Sequence, residues 1–229
     1  MPYTQTIDRQ AYTRQRGLAF LLLACLLTAC GSRPTAQLPT PTPTVAPPTP
    51  TLPPVTGQAE NLILLFEDLP GGFQLAGEDR PGGNAYSVIY LRPEALTQSS
   101  SAGLIGVIVN LSIHADAAAA QEEFAAQGMN ADSIKQDVQE TSGNASGVDV
   151  LPHTASVAGA DEVVVFRVRY AIGPTRLLEY RYRMRVGNAV VSLIVTAPAP
   201  ETGVEPDSIR EQAQALAEQQ VRRINDSRR

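Results

Sequence analysis

The chain has 229 residues, 18 basic against 23 acidic, with a formal net charge of −5, two cysteines and two histidines. An acidic chain lacks the dominant basic surface that phosphate-backbone binding needs, which excludes nucleic acid as the main partner. Two cysteines exclude a disulfide-dense scaffold, and so few cysteines and histidines leave little from which to build a zinc cluster.

Residues 17–29, GLAFLLLACLLTA, form an apolar run of 13, short of the roughly 20 residues of a membrane-spanning helix. Arg14 and Arg16 stand just before it, so charge precedes apolar run in the order of a signal peptide. Leu27-Thr28-Ala29-Cys30 then resembles the lipobox of bacterial lipoproteins: aliphatic, small, small, cysteine. The resemblance implies cleavage after residue 29 and a thioether-linked diacylglycerol on Cys30. Cys25 leaves with the leader, so the mature chain holds neither disulfide nor free thiol. Acyl chains contribute about 0.8 kcal/mol per buried CH₂, and stable anchoring takes more than one chain. Two or three chains on Cys30, palmitate among them, hold the protein on an extracytoplasmic membrane face. Loss of Arg9, Arg14, Arg16 and Asp8 leaves 15 basic against 22 acidic residues, net −7.

Residues 30–56 follow as a tether. From Arg33 to Thr56 the 24 residues read RPTAQLPTPTPTVAPPTPTLPPVT. Proline fixes φ and removes backbone donors, so helix and sheet are both blocked. Polyproline II at about 3.1 Å per residue gives a disordered but stiff stalk that reaches roughly 70 Å when extended.

Residues 57–229 read as one α+β domain. Ala59 to Leu69 (AENLILLFEDL) predicts a short helix stopped by Pro70-Gly71-Gly72. Phe73 to Leu75 and Tyr86 to Leu91 predict strands. Leu104 to Ile113 puts Ile105, Val107, Val109, Leu111 and Ile113 on one face. Ala115 to Met129 predicts a helix capped by Asp116 and closed by a left-handed Gly128. Asn130 to Glu140 predicts a second helix with Ile134 and Val138 inward, and Thr141 to Gly147 a loop.

Glu162–Tyr170, Leu177–Val186 and Ala189–Thr196 predict three strands of a meander, the last two joined by a Gly187-Asn188 hairpin. Side-chain alternation assigns Val164, Phe166, Val168, Tyr170, Leu178, Tyr180, Tyr182, Met184, Val191, Leu193 and Val195 to the core. It assigns Arg167, Arg169, Arg181, Arg183 and Arg185 to the opposite face. Pro198 and Pro200 end the sheet, and a final helix runs from Pro206 to about Ile224.

The run DLPGGF (Asp68 to Phe73), AGADE before a strand (Ala158 to Glu162), the VGNAVVSLIV hairpin (Val186 to Val195) and the closing helix look like the PsbP-like fold. That group includes extracytoplasmic lipoproteins of actinobacteria. The resemblance spans most of residues 60–225 and implies an antiparallel sheet flanked by helices, with a binding or assembly role. It carries no site residue onto this chain.

Catalytic signatures are sparse. There is no GxSxG, HExxH or calcium-loop motif, and His114 and His153 have no second histidine near them. Ser133-Ile134-Lys135 spells the triplet of a Ser/Lys dyad but reads as a solvated turn of helix. The five arginines are the one constellation with a chemical reading, because guanidinium forks suit carboxylates and phosphates. They predict a docking face for an anionic envelope ligand or an acidic protein partner. The competing reading is a solvated sheet face, or one covered by a helix whose acids pair with it. The sequence thus predicts a non-catalytic, lipid-anchored envelope protein with no cofactor and no metal, acting as a binding domain. An accessory subunit of a membrane complex is the alternative, and an envelope hydrolase a more distant one.

Overall fold

The computed structural model describes residues 53–94, 103–200 and 206–228. The leader, Cys30 and the tether through residue 52 lie outside the described residues. The elements are α1 (Ala59–Leu62), β1 (Gln74–Asp79), β2 (Ala85–Leu91), β3 (Gly106–Ile113), α2 (Ala117–Ala126), α3 (Ala131–Ser142), β4 (Ala145–Pro152), β5 (Glu162–Ile172), β6 (Thr175–Val186), β7 (Ala189–Pro198) and α4 (Asp207–Asp226). The fold is α+β. All seven strands form one antiparallel sheet in the order β1-β2-β3-β7-β6-β5-β4. α2 and α3 carry the chain from β3 to the far edge, and β4 to β7 then meander back until β7 closes against β3.

Both faces of the sheet are covered. On the front, Tyr180, Tyr182 and Met184 of β6 and Val191, Leu193 and Val195 of β7 pack against Ile209, Ala213, Ala217, Val221 and Ile224 of α4. These positions on α4 recur at helical spacing, which is the stripe that the sequence predicts. On the back, Phe166, Val168 and Tyr170 of β5 pack on Ile134 and Val138 of α3. Val190 meets Ala120 and Phe124 of α2.

The phase of β5 corrects the predicted faces. Gly173-Pro174 is a two-residue loop that pairs Ile172 with Thr175, odd with even. Val165 therefore stands beside Tyr182, and Arg167 beside Tyr180, on the front. Val164, Phe166, Val168 and Tyr170 share the back with Arg183, Arg181, Glu179 and Leu177. A one-residue slip inverts every side chain of a strand. Val163 to Val165 fill both faces, and Phe166, Val168 and Tyr170 alternate with Arg167 and Arg169, so only the two-residue loop decides which set shares a face with the β6 arginines.

Other boundaries move for identifiable reasons. The predicted helix over 59–69 stops at Leu62, and Ile63 is extended with ψ 157°. The buried Gln220 substitutes for helical pairing there: Leu64 N–H donates to its Oε1 at 2.8 Å, and its Nε2 donates to Leu62 C=O at 2.9 Å. A short 3₁₀ turn, Phe66–Asp68, follows. Asp116 caps α2 by accepting from Ala119 N–H, but the helix ends at Ala126 and Gly128 is not left-handed. A Cβ on Gly128 would lie 3.2 Å from Ala125 O, so the glycine serves close approach. α3 runs to Ser142 and ends on a left-handed Gly143. β4 takes part of the predicted loop; it is an edge strand with a bulge between Ser146 and Asp149, which hides its alternation. β7 continues to Pro198, opposite Leu177. Successive strand donors point to opposite neighbours. Ala199 N–H reaches Arg176 O at 2.9 Å, so the donor that Pro198 lacks falls on the other side.

The packed body reaches further back than Gly57. Val55 is 3% exposed, and its N–H donates to Asn188 Oδ1 at 2.6 Å. Asn188 Nδ2 donates to Val55 O and to His114 O. Asn84 likewise accepts from Ala59 N–H and donates to Gly57 O. Residues 53–69 thus form a strap pinned to the body by three side-chain amides. Asp68 fastens its end by accepting from Leu65 N–H, Gln219 and Arg223 of α4.

Replacing Gln220 with Leu leaves Leu64 N–H buried without a partner, at an expected cost of about 2–3 kcal/mol. Urea denaturation should show a lowered midpoint with an unchanged slope. Tyr182 offers a second check. Its hydroxyl is buried without a hydrogen-bond partner among the described residues. Burial first, and the charge of Glu218 second, push its phenol up to about 12. The folded state keeps a proton that the unfolded chain releases near pH 10. More protons are then bound folded than unfolded, so stability falls as pH rises from about 10 to 12. Tyr182→Phe should flatten that part of the stability curve, measured by urea midpoints across the range.

Candidate functional site

The five predicted arginines do not form one exposed face. Arg167 and Arg169 lie on the front, opposite Leu151 and Asp149 of β4. Arg181, Arg183 and Arg185 lie on the back, beneath or beside α2 and α3. A helix acid meets Arg181 closely, whereas the acids at Arg185 come from β5 and the turn before it. Arg181 is 8% exposed; its Nε donates to Glu179 Oε2 at 2.8 Å and its Nη1 to Asp137 Oδ2 of α3 at 2.5 Å. Tyr170 donates its hydroxyl to the other Glu179 oxygen at 2.6 Å. Burial draws the Arg181 pKa down, but the carboxylates of Glu179 and Asp137 outweigh it and the net shift is upward. Arg185 donates to Glu162 at 2.7 Å and to Asp161 at 3.2 Å. Asp161 also accepts from Gly187 N–H, so the AGADE turn and the β6–β7 hairpin are locked together.

Arg183 differs. It is 6% exposed, yet its contacts are long: Nη1 to Gln127 Oε1 at 3.3 Å and to Ser192 Oγ at 3.5 Å, with the Glu123 carboxylate 3.9 Å from Nη2. Nη2 also donates to Glu123 C=O at 3.1 Å, and Nε is buried without a partner among the described residues. Burial holds this guanidinium below the usual arginine range, partly offset by Glu123. Phe124 lies under the guanidinium at 5.7 Å.

Arg183 sits in the wall of a cavity of about 270 Å³ on the back of the sheet, which Ser87, Asn110, Ser112, Glu123 and Ser192 also line. The strand register explains the convergence. Ser87 of β2 pairs with Asn110 of β3, Asn110 with Ser192 of β7, and Ser192 with Arg183 of β6. Four polar side chains thus stand in one row across four strands. The row on one side, Ile89, Ile108 and Ile194, ends at Arg181 of β6 and lies outside the cavity, whereas Ala85, Ser112 and Val190 of the row on the other side line it. At the rim Ser112 donates to Glu123 Oε1 at 3.1 Å, and His114 Nε2 lies 3.1 Å from Glu123 Oε2. His114 Nε2 also faces Ser112 Oγ at 3.3 Å. One ring nitrogen serves both partners, whereas a nucleophile relay needs the two nitrogens on different partners. Ser133 is taken up in the α3 cap, where Asn130 accepts from its backbone N–H.

Among the described residues no group of three His, Cys, Asp or Glu is placed to hold a metal ion, and no helix is long and apolar enough to cross a membrane. Sequence reasoning named Arg183 but missed the row. The signal was present: Ser87, Asn110 and Ser192 are lone polar residues inside apolar strands, and only the register shows that they align.

No family model matches the chain, and no curated protein matches it in sequence.

The two buried arginines should separate on substitution. Arg181→Met strands the Glu179 carboxylate, 6% exposed, and should cost about 3–5 kcal/mol. Glu123 keeps Ser112 and His114 when Arg183 is lost, so Arg183→Met should cost less than half as much. Chemical denaturation of the two variants checks the order.

Proposed function

We propose that the chain is a non-catalytic, lipid-anchored protein of the bacterial cell envelope whose domain binds a small polar ligand. The leader and Leu27-Thr28-Ala29-Cys30 support the anchor, and the Pro/Thr-rich tract supports a domain held away from the membrane. The observation that carries the binding role is the cavity at Arg183: a built row of polar groups on a sheet face otherwise closed by helices. The ligand site moves from five arginines to one, because Arg181 and Arg185 are held by internal acids.

A role as an accessory subunit of a membrane complex is the second reading. Phe66 and Leu75, 54% and 55% exposed, favour it as apolar contacts for a partner. Single exposed apolar side chains are common on monomeric proteins, so this support is the weaker.

Cys30→Ser should move the protein from the membrane to the soluble fraction and abolish incorporation of labelled palmitate. A variant that stays with the membrane at high salt and without label would overturn the anchor.

A further inference from the structure

We propose that the groove on the back of the sheet takes a neutral polyhydroxylated ring, a saccharide unit, with its hydroxyls on the Ser87–Asn110–Ser192–Arg183 row and its C–H face against Ala85 and Val190 in the next row. The inference rests on the binding role proposed above and names the ligand class of that same cavity.

Three observations carry it. The first is the charge. The cavity holds one guanidinium and one carboxylate, Arg183 and Glu123, within 3.9 Å of each other. An anion brought to Arg183 would also meet Glu123, so a neutral ligand fits the site better than a phosphate or carboxylate. The second is the kind of polar group. Hydroxyl and amide side chains donate and accept from the same site, as sugar hydroxyls do. Ser87 donates to Asn110 Oδ1 at 2.5 Å, which leaves the Asn110 amide donors without another bond among the described residues. Asn110 is exposed and lines the cavity. Arg183 Nη1 holds only the long contacts to Gln127 and Ser192, which a ligand hydroxyl can replace with shorter ones.

The third is the pairing of rows. Adjacent rows on one face of a sheet lie about 7 Å apart, two residues along each strand. Ala85 and Val190, in the row next to the polar one, line the same cavity and give the groove a dry side beside its wet one. A sugar ring has the same division, hydroxyls at its rim and C–H groups on its face. The volume of about 270 Å³ admits one ring and leaves the groove open at its side for a longer glycan.

The test uses the full-length lipidated protein in a detergent without a sugar headgroup. Glucose, galactose, mannose and N-acetylglucosamine are the probes, with phosphate and glutamate as anionic comparators, all read by ligand-observed saturation-transfer NMR. At least one sugar should bind, and Asn110→Leu and Ser192→Val should each weaken it about tenfold or more. Both substitutions sit in the groove wall, so thermal melts of the variants confirm that they fold. Equal sugar binding in the variants and the wild type would overturn the site. Binding of phosphate or glutamate without sugar would overturn the ligand class while leaving the binding domain standing. Failure of every probe would overturn the saccharide proposal, and binding of a non-saccharide envelope extract lost in Asn110→Leu would then show whether the broader binding reading survives.

Discussion

The Arg181 guanidinium is the charge around which the back of this domain is arranged. β6 lies inside the sheet with helices over both faces, and its residues from Leu177 to Met184 are buried without a break. A cation taken out of water on such a strand requires carboxylates that are fixed in place. Glu179 supplies one from the same strand and Asp137 the other from α3. The demand then spreads. Asp137 ties α3 to β6, and Ile134 and Val138, on the same helix, close the apolar cluster around Phe166 and Val168. Tyr170 completes the Glu179 oxygens. The polar core and the apolar core on the back are therefore one structure, and neither is satisfied without α3.

Arg183, two residues along, stands on the same face but beneath α2, whose acid reaches it only loosely. The difference between neighbouring arginines follows from which helix covers them. α3 presents Asp137 directly at Arg181, while Glu123 of α2 is shared with Ser112 and His114. What is a closed salt bridge at one position becomes an open, polar cavity at the next. Ion-paired and cavity-lining positions are thus divided between two residues that the sequence presents as equivalents.

Much of this was legible from periodicity. Helix α4, the hairpins around Gly187-Asn188 and the strands β3, β6 and β7 have apolar residues at spacings that leave little choice. The phase of β5 was not legible, because Val163 to Val165 fill both faces equally and only the two-residue loop decides which points where. Nor was the strap, since Leu62 to Leu65 read as one turn of a helix until Gln220, over 150 residues away, supplies their pairing. The candidate site was legible in its residue types but not in its assembly. Ser87, Asn110 and Ser192 come from three strands, and alignment across strands is a property of register that no local window contains.

The strap has a mechanical consequence. A load applied from the N-terminal side meets the described body first at Pro53, whose carbonyl accepts from Arg228, then at Val55, clasped to Asn188 in the β6–β7 hairpin, and then at Ala59, clasped to Asn84. Only after these yield does the strain reach Leu62 and Leu64 on Gln220 of α4. The edge strands β1 and β4 are not in that path. Tension would be resisted by a series of side-chain clasps at the β6–β7 hairpin, just before β2 and on α4, so the strap can strip away in stages while the strand ladders remain zipped.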